Sequence, residues 1–296
     1  MTFSNFSDEL VTELKKLDMP CRFLMQDTRK NNGKTVHTLT LKQDNSHISP
    51  NFDLEHYYDE YMYGRSIKEI AECIRMLYRC TPDYNSGDLN EENMRSHLVL
   101  SLVNYGTNSA ALEESPHIRF LDLAVTFKVN TSFLNIDGFI NVDDKVGKLL
   151  DLSVTDMYHL ALANTGEQLG ARMISLNTMV SEMSGLKLPA SPDVMVLTND
   201  RMHYGAAAIL LPEAKDLMQK NGIEDCFILP SSVHELILIN DNNEVNRTQL
   251  AELVEDINAS EAVKDVEFLS NNVYRYSDIK EGIEKLPTPY ENQDIL

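Results

Sequence analysis

Basic residues are in short supply in this chain. Its 26 Lys and Arg stand against 46 Asp and Glu, a net charge of -20, and the pI is near 4.7. An acidic surface of that size repels phosphate backbones and anionic lipid headgroups, so neither direct nucleic-acid binding nor membrane association is expected. Cysteine is also sparse. Cys21, Cys73, Cys80 and Cys226 contain no CxxC pair, which excludes a zinc ribbon and a thioredoxin-like redox motif. Cys73 and Cys80 fall on one expected helix, about 10 Å apart along its axis and too far for a disulfide. All four read as buried free thiols. No apolar run approaches the length of a membrane span, and the acidic opening MTFSNFSDEL lacks the charged and apolar regions of a signal peptide. The expected location is cytoplasmic.

The common chemical signatures are missing too. There is no Walker A loop, GxGxxG, GxSxG or HExxH, and Asp241-Asn242-Asn243-Glu244 lacks the glycine and distal glutamate of a calcium loop, so it reads as a turn. No cofactor and no metal site are expected. What the chain does have is length and apolar content: 296 residues, 43% hydrophobic and 24% charged. That is enough for one large core or two ordinary ones, and it excludes a disordered chain, collagen and a small disulfide scaffold.

The pattern begins with a helix from about Asp8 to Leu17, with Ser7 as its N-cap and Leu10, Leu14 and Leu17 on one face. Strands at Cys21–Gln26 and Val36–Leu41 follow, joined by the polar segment Arg29-Lys30-Asn31-Asn32-Gly33-Lys34, in which Asn-Gly supplies the positive backbone angles of a hairpin turn. Leu54, Tyr57, Tyr58 and Tyr61 recur at helical spacing and read as a core stripe. Ser66 to Glu69 is a capping box that opens a helix with Ile70, Ile74, Leu77 and Tyr78 on its buried side. Thr81 to Glu92 is polar and reads as a loop, with limited proteolysis expected between Asp83 and Asp88.

Beyond that loop, His97–Tyr105 reads as a strand or buried helix, Phe120–Val129 as a strand, and Phe133–Val142 as its returning partner. Ser153 to Asp156 caps another helix, and a further one is expected at Ile174–Met183. The last third reads as ββαββα. Val194–Leu197 and Gly205–Leu210 are strands around a turn, Pro212 starts a helix that Asn221-Gly222 ends, and Cys226–Leu229 and Glu235–Ile239 are strands around Pro230-Ser231-Ser232. A helix carrying Leu250, Leu253, Val254 and Ile257 closes the series. Short turns between strands imply an α+β fold with mostly antiparallel sheets and helices packed on one face. Two lobes are expected: 1–115, a hairpin plus a helical hairpin, and 116–296, built on the ββαββα core.

The stretch KNNGKTVHTLTLKQDNSHISPNFDLEHYYDEYMYGRSIKEIAECI, Lys30 to Ile74, resembles the N-terminal half of an uncharacterised bacterial domain-of-unknown-function family typical of gut clostridia and their mobile elements. SPHIRFLDLAV, NTGEQL, VLTNDRMHYGAAAIL and CFILPSSVHELILI are similar to its later blocks, so the resemblance covers nearly the whole chain. A weaker similarity, mainly in the last third, extends to another uncharacterised family of Gram-positive bacteria. The resemblance implies a bacterial, cytoplasmic α+β protein and carries no assigned activity. The family often has a tryptophan before the helix near Val154, and this chain has none.

One cluster, Pro230 to Glu235, groups the residue types of nucleophile, base and carboxylate: Ser231, Ser232, His234 and Glu235. In an extended Val233–Glu235 segment His234 and Glu235 face opposite ways and cannot pair locally, which argues against a local triad. His203 and Tyr204 lie at the neighbouring turn, where the two turns could converge on one sheet end as a small polar pocket. Asn31 and Asn32 are further candidate binding residues. The other histidines are dispersed, without the spacing that puts two imidazoles on one metal. The reading these residues favour is a non-enzymatic protein-interaction or regulatory module with an unidentified protein partner. The alternatives are a serine-hydrolase-like enzyme using Ser231 or Ser232 with His234, and an acidic inhibitor of a nucleic-acid-processing protein.

Overall fold

The structure, a computed structural model, describes residues 1–43, 49–80, 86–185, 189, 194–230, 232–241, 247–259, 263–277 and 282–286. Backbone packing groups the chain into two units, 1–93 with 131–138, and 94–130 with 139–296.

The first unit opens with helix α1 (Phe3–Lys16), whose N-cap is Thr2. Ser7 does not cap it. The helix starts a turn earlier than its apolar spacing implies, and Ser7 is buried inside it, donating its hydroxyl to Phe3 O at 3.0 Å. Strands β1 (Arg22–Arg29) and β2 (Thr35–Lys42) form the expected antiparallel hairpin. Its turn is a 3-10 segment at Asn31–Gly33, where Asn32 and Gly33 take φ of 59° and 66°. Strand β3 (Asn51–Asp53) adds to β2, and helix α2 (Leu54–Met62) follows from an Asp53 cap. Helix α3 (Ile67–Cys80) is opened by the capping box: Glu69 N donates to Ser66 Oγ at 3.3 Å, and Ser66 N donates to Glu69 Oε2 at 2.9 Å.

Phe6, Leu10, Leu14, Leu39, Leu41, Ile70 and Ile74 form the centre of this unit's core. Leu77 does not join them and is 48% exposed. Ile67, Ile70, Ile74 and Tyr78 run along one helical line, and Leu77 falls at its margin. Tyr57 is buried, whereas Tyr58 and Tyr61 are only partly covered. The thiols divide likewise: Cys226 is buried, Cys21 and Cys73 are half-buried, and Cys80 is exposed.

A 3-10 turn at Ser86–Asp88 and a short helix α4 (Glu91–Ser96) lead into the second unit. Strand β4 (Leu98–Asn104) is followed by helix α5 (Ser109–Leu112), β5 (His117–Phe120), β6 (Leu123–Asn130) and β7 (Phe139–Asn141). β4 pairs with β6 along its whole length, so residues 94–115 group with this unit. The run from Phe120 to Val129 is not one strand. Leu121 turns the chain with φ of 59°, and β5 folds back on β6. The expected return at Phe133–Val142 contracts to β7, which also pairs with β6.

Helices α6 (Asp144–Leu150) and α7 (Val154–Gln168) come next, α7 from the expected Ser153 cap. Buried polar residues of α7 hold the start of β4: Asn164 Nδ2 donates to Leu98 O at 3.0 Å, and Leu100 N donates to Thr165 Oγ1 at 2.9 Å. Strand β8 (Arg172–Ser175) takes the first residues of the stretch expected to be wholly helical, leaving α8 (Leu176–Ser184). Then follow β9 (Val194–Thr198), α9 (Pro212–Lys220), β10 (Asp225–Leu229), β11 (Leu236–Asn240), α10 (Arg247–Ala259), β12 (Tyr274–Ser277) and β13 (Gly282–Lys285). Six of these strands form one sheet in the order β13-β12-β10-β11-β9-β8. Every strand pairing described is antiparallel, and the fold is α+β.

Gly205–Leu210 is not a strand. It is a 3-10 helix, and β9 pairs with β8 and β11 instead. Alanines 206 to 208 favour helical over extended backbone, and the buried turn packs against β4, β9, α7 and α9. On α10, Leu250 and Val254 are buried, but Leu253 is 43% exposed. Asp241 accepts from Arg275 Nε at 3.0 Å, while Asn242, Asn243 and Glu244 lie outside the described residues. Among the described residues, no helix is long and apolar enough to cross a membrane.

Candidate functional site

The loop leaving β9 is built by its own side chains. Thr198 donates Oγ1 to His234 O at 2.8 Å. Buried Asn199 accepts at Oδ1 from Arg201 N at 3.1 Å and His203 N at 3.2 Å, and donates Nδ2 to His203 O at 2.8 Å. Within these bonds Met202 and Tyr204 both take left-handed backbone, φ 53° and 54°. Each such residue costs of order 1 kcal/mol and persists only where its surroundings enforce it. The loop then passes through Gly205. A Cβ there would stand 2.2 Å from Thr198 Oγ1 and 2.5 Å from His234 O, so only glycine fits.

Tyr204 N donates to His234 Nδ1 at 3.2 Å, which ties this loop to the 230–235 connection. The rings gather around that bond. His203 and His234 have centroids 5.0 Å apart, and Tyr204 and His234 5.6 Å. Phe139, at the start of β7, stacks on His203 at 6.3 Å and meets Tyr204 edge-on at 5.2 Å. Lys128 Nζ, from β6, sits 4.1 Å from the centre of the Tyr204 ring and donates to Asn141 Oδ1. His203 is exposed, Tyr204 and His234 are half-buried, and Lys128 is 7% exposed.

Burial shapes the protonation of this group. It lowers the Lys128 amine to about 8. It also lowers His234; the Glu267 carboxylate opposes that shift, and His203, Lys264 and Lys128 reinforce it. Neutral His234, accepting at Nδ1, carries its proton on Nε2. Tyr204 and Glu235 are both raised, chiefly by burial.

His203, Tyr204 and His234 therefore come together, while Ser232 and His234 do not make a nucleophile–base pair. Ser232 is buried, and its Oγ accepts from His234 N at 3.0 Å and hydrogen-bonds the Glu235 side chain. The imidazole Nδ1 is turned to Tyr204. Ser231 lies outside the described residues. Asn31 and Asn32 belong to the first unit, where they form the β1–β2 turn.

Lys128, Phe139, Asn141 and Glu267 join the site without having been singled out from the sequence. One signal was there. Lys128 interrupts the apolar run Leu123 to Val129, and a lysine inside a strand covered on both faces must find a special partner. Among the described residues, no group of three or more His, Cys, Asp or Glu side chains could hold a metal ion.

Residues 3–278 match the model of a family of unknown function, DUF5688, and the chain belongs to that family. Neither curated proteins nor solved structures gave a match.

Proposed function

We propose that this DUF5688 member is a recognition module whose contact face is the 198–205 loop with His234 and Phe139. The observation that supports this reading is the presentation of His203: an exposed ring, set against Phe139 and His234, on a loop pinned by Thr198, Asn199 and Gly205. Rigid rings held at a surface lose little conformational freedom when a partner docks. Acyl transfer by Ser232 and His234 would require the hydroxyl to leave Glu235 and reach an imidazole that already serves Tyr204.

Affinity capture with the wild type, His203→Ala and a Leu77→Ala control tests this. A protein retained by the wild type and the control, and lost with His203→Ala, is expected. Identical recovery with all three would remove the face from consideration. A fluorophosphonate probe should leave Ser232 unlabelled; labelling abolished by His234→Ala would turn the assignment to a serine hydrolase.

A further inference from the structure

The same face is rich in hydrogen-bond donors. The Lys128 ammonium has three N–H groups and gives one to Asn141 Oδ1, with the Tyr204 ring over it. His234 accepts at Nδ1, which leaves Nε2–H as a donor. Tyr204 adds a hydroxyl that burial keeps protonated. Two carboxylates stand nearby without pairing to Lys128: Glu267, 3.7 Å from Lys264, also acts on His234, and Glu235 is hydrogen-bonded to Ser232. Among the described residues, no carboxylate is paired with Lys128. A buried ammonium without an anionic partner is unfavourable, and an anion supplied from outside relieves it.

We propose, resting on the recognition reading above, that this face takes the carboxylate of a ligand with a flat apolar body. The carboxylate meets Lys128 Nζ and His234 Nε2, and the body lies against Phe139 and His203. A single negative charge fits. Glu235 and Glu267 at the site, and a net charge of -20 over the chain, oppose a polyanion.

The probe is benzoate, with benzamide as its uncharged counterpart, followed through the His234 ring resonances of the full chain. Benzoate should shift them saturably and benzamide should not. Lys128→Met should weaken the response about tenfold or more, the loss of one charge-assisted contact. It should also fold, because replacing a buried charge by an apolar side chain is often neutral or stabilising. Should it not fold, His203→Ala decides: the exposed ring is dispensable for folding, and benzoate should bind that variant more weakly.

Peptides ending in phenylalanine, with free and amidated termini, separate the two sources of such a group. Tighter binding of the free-acid peptide than of benzoate assigns a partner's chain end; the reverse assigns a small acid. Equal responses to benzoate and benzamide, or none that saturates, would overturn the proposal. That outcome leaves any His203-dependent protein capture standing, so the two readings fail separately.

Discussion

At the scale of single residues, one absent side chain holds the site together and one buried charge opposes its burial. Gly205 gives up its Cβ so that Thr198 Oγ1 and the His234 carbonyl can close on it. Gly205→Ala should lower stability by about 3 kcal/mol, since the blocking atoms include backbone that cannot swing aside. An unchanged denaturant midpoint would show that the loop yields. Lys128 works the other way. Its amine titrates near 8 in the fold against 10.5 when exposed, so between those values the unfolded chain binds the extra proton and stability rises with pH. The gain across that window is about 3 kcal/mol. Lys128→Met removes the dependence, and the difference between variant and wild type should narrow from pH 8 to 10.5. His234, lowered from 6.5, has the same sign: its contribution is complete above 6.5 and is lost as pH falls through the lower folded value.

At the scale of elements, helix α3 makes the clearest contrast between a line that is buried and one that only borders it. Ile74 is fully buried among Phe6, Leu10 and Leu14. Ile74→Ala should cost about 2–4 kcal/mol from lost burial and the cavity left behind. Leu77→Ala, three residues on, should stay within about 0.5 kcal/mol. Equal losses in thermal unfolding would mean that both faces are packed. The elements readable from sequence were those with chemistry written in a few adjacent residues: the Asn-Gly hairpin, the Ser66 and Ser153 caps, and Pro212 at a helix start. Those misread depended on distant contacts. Nothing local marks Leu121 as left-handed, and the uninterrupted apolar run Gly205 to Leu210 passes for a buried strand despite its alanines until Thr198 and His234 close on Gly205. The site divides in the same way. His203, Tyr204 and His234 stood out as polar turn residues, whereas Lys128 and Phe139 reach them only through the pairing of β6 with β7.

At the scale of the whole molecule, the net charge of -20 governs what the chain approaches and how it responds to salt. Among the described residues, ion pairs sit mostly on partly exposed side chains, such as Arg75 with Glu72 and Arg172 with Glu182, and contribute little individually. The surplus of carboxylates is therefore a net self-repulsion in the folded state, and ions screen it with a Debye length of about 10 Å at 0.1 M. Raising ionic strength with a weakly interacting salt should lift the thermal midpoint; a midpoint that falls would show that the ion pairs outweigh the repulsion. The same surplus sets a test on partners. Binding to duplex DNA draws its affinity from cations that neutralise phosphates, and a chain with 20 more acidic than basic residues offers few. No shift of duplex DNA is expected in a gel assay at physiological salt. Micromolar binding that weakens steeply as salt rises would require a concentrated basic surface, and would also undercut the single-charge argument for the Lys128 site.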